Sequence, residues 1–438
     1  MKYLKWPDVW LALGLLALTV GGARLLVRPS ATDDEVRRLN YDRHPWQATF
    51  DALSATCGVG LLGYDFLEDY TDQGRWILSG LGVAGALLYV AAVTSALRRW
   101  RRSDAQNRIA HPALAVACYV LIGAVLIAGY VVAGWRSAEP HGLLERFWRA
   151  LAAYASCGWA STPHDGLSAW PLALLAWLGS LGWMGWLLLA PPPARRWLQP
   201  RPVLAMVGGC AVVVLSAALL IALFETPRGT AGRDAPAEAG APQGYWARAR
   251  LALVQAGGTV GAGMPVVPLG ERQASEATKL TLAALLVVGG LGGSATGGVQ
   301  WPLIVWAALG ALAALGCLGR PAPDVRRRMH AGLAAIVLLT ALVVLVALGM
   351  LVLENMSASA YQRAPSLADA LLDAASVTAG GNLTSGLVER ITGRHLIVGI
   401  GHRANLYQYG MSWLMAAMFI GRLLPLMVMR WVGDGQGA

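Results

Sequence analysis

Apolar residues along the 438-residue chain are gathered into long runs that are separated by shorter polar or mixed stretches. Eight of these runs are long enough for membrane-spanning helices, since about 20 apolar residues cross the hydrocarbon core of a bilayer. They lie near residues 8–27, 76–96, 112–134, 169–190, 203–224, 279–319, 332–354 and 409–430. The sixth run is too long for one simple helix and is rich in glycine, so the pattern predicts a break within it.

Four further apolar segments are too short and too mixed to cross a membrane. They cover residues 46–65, 145–165, 245–265 and 366–387, and each lies between two of the predicted spans. Each segment contains helix formers and then a glycine-bearing turn, and about eleven helical residues rise only roughly 16 Å, half the bilayer thickness. We therefore expect half-helices that enter the membrane and turn back. Non-helical backbone at that depth is tolerated where it lines a water-filled cavity.

The order helix, half-helix with re-entrant turn, helix occurs four times. The predicted fold is therefore an all-α polytopic membrane protein with four such repeats around a pseudo-fourfold pore axis. The repeats cover residues 1–108, 109–200, 201–328 and 329–438, with the broken helix and an intramembrane loop at 289–300 in the third. Each repeat contains two full spans, so all four are expected to insert in the same orientation.

Composition and charge agree with a membrane protein. Apolar residues make up 56% of the chain and charged residues 14%, which excludes a typical soluble enzyme. The formal net charge of +10 comes largely from arginine clusters near residues 98–108, 195–201 and 320–328. The positive-inside rule makes these loops and the N-terminus cytoplasmic, so topology explains the charge better than nucleic-acid binding. The expected location is the inner membrane, with the first run retained as a helix rather than cleaved as a signal peptide.

Cysteine and histidine give no sign of a metal centre or of catalysis. The five cysteines lie singly in apolar surroundings without a CxxC pair, which supports neither a disulfide framework nor a metal site. The histidines are scattered, and no HExxH motif occurs. We therefore expect no enzyme activity and no cofactor bound by this chain.

The re-entrant turns supply a different chemistry. A half-helix that points its C-terminal end at the membrane centre directs about half a negative charge there. A glycine turn beyond it lets backbone carbonyls face the axis, and four sets of carbonyls can replace the hydration shell of a cation of potassium size. Aligning the turns on their glycines gives Gly60, Gly158, Gly261 and Gly381.

Three motifs carry a family resemblance. The turns SATCGVGL (54–61), AAYASCGW (152–159) and QAGGTVGA (255–262) are similar to the S-A-x-T-x-x-G-[FL] filter pattern of the Trk/Ktr/HKT superfamily of potassium transporters. The string GGLGGSATGGVQ (289–300) resembles that family's glycine-rich intramembrane loop, and MFIGRL (418–423) matches the segment that carries its pore arginine. The resemblance covers nearly the whole chain.

The resemblance implies two sets of site residues. The implied filter, with potassium as its metal ion, comprises Gly58, Val59, Gly60, Cys157, Gly158, Val260, Gly261, Gly380, Gly381 and Asn382. The implied gate comprises Gly292, Gly293, Ser294, Gly297, Gly298, Gln300 and Arg422.

Two alternatives stay open among these residues. The filter position of the fourth turn is either Asn382 or, after a shift of one residue, Gly381. Arg422 either faces the pore and bonds the loop carbonyls or extends towards the cytoplasmic interface beside Arg430; we favour the pore because Arg422 lies well inside its span.

The resulting functional hypothesis is a pore-forming subunit for potassium uptake. The alternatives are a less selective pathway for sodium or another monovalent cation, and a transport-inactive homologue that serves as a structural subunit of a membrane complex. The resemblance further implies a homodimer in the lipid bilayer and a cytosolic nucleotide-binding regulatory subunit. No nucleic-acid partner is expected.

Overall fold

The computed structural model describes residues 7–33, 44–64, 66–100, 112–135, 142–157, 170–182, 200–225, 245–264, 274–289, 295, 297–317, 321–357, 365–385, 387–388 and 404–434. Within these ranges the chain forms thirteen helices and no strand. The protein is an all-α membrane protein, as the apolar pattern predicts.

The helices follow one another in four groups, each with a short helix between longer ones. The first group is α1 (Pro7–Leu26), α2 (His44–Cys57) and α3 (Asp72–Trp100). The second is α4 (Pro112–Trp135), α5 (Leu143–Tyr154) and α6 (Trp170–Ser180). The third is α7 (Pro200–Phe224), α8 (Tyr245–Ala262), α9 (Glu276–Val287) and α10 (Trp301–Ala314). The fourth is α11 (Pro323–Ser357), α12 (Leu367–Ala379) and α13 (Ala404–Asp434).

Six of the described helices are long and apolar enough to cross a membrane, namely α1, α3, α4, α7, α11 and α13. The other two predicted spans coincide with shorter helices. The predicted span at 169–190 contains α6, and the over-long run at 279–319 is divided between α9 and α10. The break falls in the glycine-rich string, where a straight helix is least stable.

The half-helix α12 and the long helix α4 have opposite surroundings. In α12 the residues from Ala368 to Ala379 are almost all buried, and a capping box between Ser366 and Asp369 is present at its start. The long helix α4 instead exposes apolar side chains, for example Leu121 at 67% and Val125 at 72%. An apolar surface of this kind is suited to lipid. The half-helices α2 and α12 therefore lie in the interior, whereas α4 lies at the outer surface.

The four groups form a closed ring of contacts. Helix α3 packs against α4, α6 against α8, and α9 against α12, while α13 packs against α1, α2 and α3. An ion pair joins the first and last helices, with 3.1 Å between Arg430 Nη1 and Asp8 Oδ2. The ring places the ends of the half-helices next to one another at its centre.

Candidate ion pathway

Each half-helix ends at one residue with left-handed backbone. These residues are Gly58, Ser156, Gly263 and Gly380, with φ values of +64°, +63°, +60° and +80°. Glycine adopts this conformation without steric cost, which explains three of the four positions. Ser156 is the one residue other than glycine with positive φ among the described residues. Four equivalent turns therefore follow the four half-helices.

The turns lie against one another without space for side chains. A methyl group on Gly60 would overlap the carbonyl of Cys157 and lie 3.2 Å from Cβ of Asn382. A methyl group on Gly263 would overlap the backbone of Gly381. Turns from all four groups thus meet, and their backbones are the groups in closest approach. Gly158 lies outside the described residues.

Hydrogen bonds define the register of each turn. The residue after the left-handed position donates its amide to a carbonyl five residues earlier in three turns: Val59 to Ser54 (2.9 Å), Cys157 to Ala152 (2.8 Å) and Gly381 to Ser376 (3.0 Å). In the third turn Met264 donates to Gly258, six residues earlier, at 3.2 Å. The third turn therefore consists of Gly263 and Met264.

Val260 and Gly261, which the alignment assigns to the third turn, precede that turn in the structure. Both residues belong to the last part of α8. Gly261 lies at the contact between α8 and α6, where an added methyl group would overlap the backbone of Ala176. The glycine that was aligned as a turn residue instead permits close helix packing, and the turn begins two residues later at Gly263.

The same register resolves the alternatives for the fourth turn. Gly380 corresponds to Gly58, so Asn382 corresponds to Gly60. Gly60 has a φ of +79°, whereas Asn382 is absent from the described non-glycine residues with positive φ. An asparagine therefore occupies the position that glycine fills in the first turn, and its side chain lies beside that turn.

Glycines in the helix that follows the half-helix in three groups also pack against the turns, a feature that we did not predict. Methyl groups on Gly85, Gly179 and Gly421 would overlap the backbone of Thr56, Tyr154 and Thr378 respectively. Each contacted residue lies two positions before the left-handed residue of its own turn. These glycines let the outer helix support the end of the half-helix directly. Their spacing from the turns differs between groups, so the sequence carries no periodic signal for them.

Arg422 lies directly beside the turns and is only 3% exposed. Its Nη2 donates a hydrogen bond to the carbonyl of Ala295 in the intramembrane loop. Methyl groups built on Gly58 and Gly297 would lie 3.2 and 3.0 Å from its guanidinium nitrogens. This position excludes extension to the cytoplasmic interface and places the charge between the first turn and the loop.

Tyr89 supports the Arg422 guanidinium from the opposite side. The ring centroid of Tyr89 is 3.8 Å from Arg422 Cζ, a geometry typical of a cation–π interaction. Tyr89 is fully buried in α3. The ends of α2 and α12 also direct partial negative charge towards the arginine. We did not predict Tyr89, since nothing in the sequence separates it from other aromatic residues in the spans.

The loop between α9 and α10 is closed at its base by two backbone hydrogen bonds. Gly289 donates to Val299 at 2.9 Å, and Val299 donates to Val287 at 2.8 Å. A methyl group on Gly297 would overlap the carbonyl of Ala379 at the end of α12. Gln300 is fully buried and lies at the N-cap of α10. The structure thus brings Gly297 against the end of α12 and places Gly298 and Gln300 at the base of the loop, while Gly292, Gly293 and Ser294 lie outside the described residues.

Comparison with known proteins identifies the fold. No protein-family model and no curated protein matches the sequence. Among solved structures, the chain is similar to the crystal structure of the potassium transporter TrkH from Vibrio parahaemolyticus, with a TM-score of 0.65. The similarity covers 95% of this chain and 82% of that one, at 15% sequence identity. The chain therefore has the TrkH fold, which confirms the multi-pass membrane architecture implied by the three motifs.

Proposed function

We propose that the protein is the pore-forming membrane subunit of a potassium-uptake system. The observation that carries this proposal is the meeting of the turns that follow all four half-helices, beside a buried arginine. Four half-helix ends supply partial negative charge and backbone carbonyls without any charged side chain, which is the chemistry of a potassium filter. The similarity to a structure described as a potassium transporter supports the same assignment.

The proposed filter differs from the sequence alignment only in the third turn. Its residues are Gly58, Val59, Gly60, Cys157, Gly158, Gly263, Met264, Gly380, Gly381 and Asn382. Their carbonyls would hold a partly dehydrated potassium ion. Tight backbone contact between turns fixes the spacing of the carbonyls, and this spacing sets the size of ion that fits.

The proposed gate consists of the loop at 289–300 and Arg422. A guanidinium below the filter repels a cation that leaves it, so conduction requires the arginine and the loop to move together. The bond between Arg422 and Ala295 links the two elements. Because the loop is closed at its base, a shift of α9 against α10 would change its position.

Asn382 favours one second candidate, a less selective pathway for sodium or another monovalent cation. The Asn382 side chain lies beside the filter and adds an amide oxygen, which would compete with the backbone carbonyls of the filter for the ion. The more extreme alternative is a transport-inactive structural subunit. The remaining elements of the proposal are the four units at 1–108, 109–200, 201–328 and 329–438, a cytoplasmic N-terminus, location in the inner membrane, a homodimer and a cytosolic nucleotide-binding regulator.

Flux from proteoliposomes separates these functions. The purified full-length protein is reconstituted into vesicles loaded with potassium, sodium or ammonium, and the initial efflux of each ion is measured at equal driving force. We expect potassium efflux well above that of the other cations. Comparable potassium and sodium efflux would support the less selective pathway, and efflux no greater than from protein-free vesicles would support the inactive subunit.

A further inference from the structure

Two half-helices carry a buried carboxylate at an equivalent position. Asp51 in α2 and Asp373 in α12 are both 0% exposed. Each lies seven residues before the left-handed residue of its turn, Gly58 and Gly380 respectively. Charged groups are rarely buried completely unless they are bonded to specific partners. Both carboxylates therefore need a structural or functional explanation.

Asp51 bonds the chain on the far side of the first turn. Its Oδ1 accepts a hydrogen bond from the Gly63 amide at 2.6 Å, and its Oδ2 accepts one from the Tyr70 hydroxyl at 2.5 Å. Burial and the neighbouring carboxylate raise the pKa of Tyr70 well above its ordinary value, so its hydroxyl keeps the proton that it donates. The carboxylate thus joins the half-helix to the segment that follows the turn.

Asp373 makes the same connection in the fourth group with a larger set of donors. Its Oδ1 accepts from the Ser385 amide at 2.6 Å. Its Oδ2 accepts from the Val388 amide and from the Thr384 hydroxyl, both at 3.0 Å. The amide bonded to Oδ1 is twelve residues after the aspartate in both groups. Each carboxylate therefore connects the half-helix before its turn to the chain segment after it.

The corresponding positions in the other two groups carry different chemistry. In the third group that position holds Ala256, but the preceding residue, Gln255, donates from Nε2 to the carbonyl of Met264 at 3.1 Å and again joins the half-helix to its turn. In the second group the position holds Arg149, which pairs with Glu145 at 2.9 Å. Polar connections to the turn thus recur, but the carboxylate form belongs to the first and fourth turns.

We propose that Asp51 and Asp373 are positioning residues that set ion selectivity by fixing the backbone of the first and fourth turns. This inference rests on the proposed function, because it concerns the same filter. Hydrogen bonds to a carboxylate are short and strong, and the amides bonded to Oδ1 lie five residues beyond the left-handed positions. Loss of these bonds releases the carbonyls of 58–60 or 380–382 from their spacing and admits ions of other sizes.

The hydrogen-bond partners of Asp51 and Asp373 differ, so Asp→Asn substitutions at the two sites distinguish an effect of turn positioning from an effect of the lost charge. In Asp51→Asn the new amide group can face Tyr70, whose hydroxyl can rotate and accept instead of donating. In Asp373→Asn the new amide group faces the Val388 amide, which cannot become an acceptor. A buried donor without a partner is costly, so the second substitution disturbs its turn far more. Both substitutions remove the same charge.

The test is the potassium-to-sodium permeability ratio of the full-length protein in proteoliposomes. We expect Asp373→Asn to lower the ratio about tenfold and Asp51→Asn to change it no more than about twofold. Thr384→Val keeps the charge, removes one bond and should give an intermediate decrease. Asp8→Asn is the matched control, since Asp8 is a buried carboxylate paired with Arg430, and it should leave the ratio unchanged.

Each outcome has a definite meaning. If Asp51→Asn and Asp373→Asn change the permeability ratio equally, the lost charge rather than the position of the turn is responsible, and the inference is overturned. If Asp373→Asn does not reach the membrane, Thr384→Val decides the question, and an unchanged ratio there would overturn the inference. A wild-type protein that conducts neither ion would contradict the proposed function as well. If the wild-type protein conducts but Asp373→Asn and Thr384→Val both keep its potassium-to-sodium permeability ratio, only this inference is contradicted.

Discussion

The most sharply defined perturbation is Gly60→Ala. The added methyl group would occupy the space of the Cys157 carbonyl, and alanine would have to adopt a φ of +79°. Left-handed backbone costs a residue with a Cβ about 1–2 kcal/mol, and overpacking a close contact costs about 1–3 kcal/mol. The sum of about 2–5 kcal/mol exceeds the roughly 1.4 kcal/mol that corresponds to a tenfold change in an equilibrium. The turns must therefore move apart.

The assay for Gly60→Ala is potassium flux into proteoliposomes at equal protein density. We expect flux to fall by at least about tenfold, because displaced carbonyls no longer match the ion. The matched control is Gly129→Ala in α4, where a methyl group meets no atom within 4 Å and flux should be unchanged. Wild-type flux and selectivity in Gly60→Ala, with both variants equally abundant, would refute the conclusion that this turn lines the ion pathway.

Three further predictions concern the gate, the supporting glycines and the fourth turn. Arg422→Ala should raise potassium leak in resting vesicles about tenfold by removing the buried charge. Arg430→Ala, which breaks the ion pair with α1, should not raise the leak, and an unchanged leak in Arg422→Ala would contradict the gate assignment. Gly421→Ala should lower the free energy of unfolding by about 1–3 kcal/mol, because its methyl group would overlap the backbone of Thr378. The measurement is the thermal transition temperature in detergent, which Gly80→Ala should leave unchanged because the space around Gly80 is open. Asn382→Gly should increase the potassium-to-sodium flux ratio, and a decrease would show that the asparagine contributes to selectivity.

Much of the architecture could be predicted because it depends on local physics. The length of apolar runs distinguishes spans from half-helices, and the glycine content of residues 289–298 is incompatible with a straight helix. The capping box at Ser366 and Asp369 marks the start of α12. Arg422 was recognisable because a charge within an apolar span requires a partner.

The register of the third turn could not be predicted, because glycine serves there both in close helix packing and at the start of the turn. The segment contains Gly257, Gly258, Gly261 and Gly263, and spacing alone does not distinguish the glycine that packs against α6 from the one that begins the turn. The hydrogen bonds of Asp51 and Asp373 could not be predicted for a related reason. Their partners lie eleven to nineteen residues further along the chain, beyond a turn, so only the folded chain brings them together.

The central claim is that a cation is bound by the backbone carbonyls of the four turns. The most direct measurement is the density of a potassium analogue with strong scattering, such as thallium, in a structure of the full-length protein. We expect a peak surrounded by the carbonyls of residues 58–60, 157–158, 263–264 and 380–382, which disappears when the analogue is replaced by an excess of sodium. Thallium density confined to other parts of the protein, with none between the turns, would contradict it.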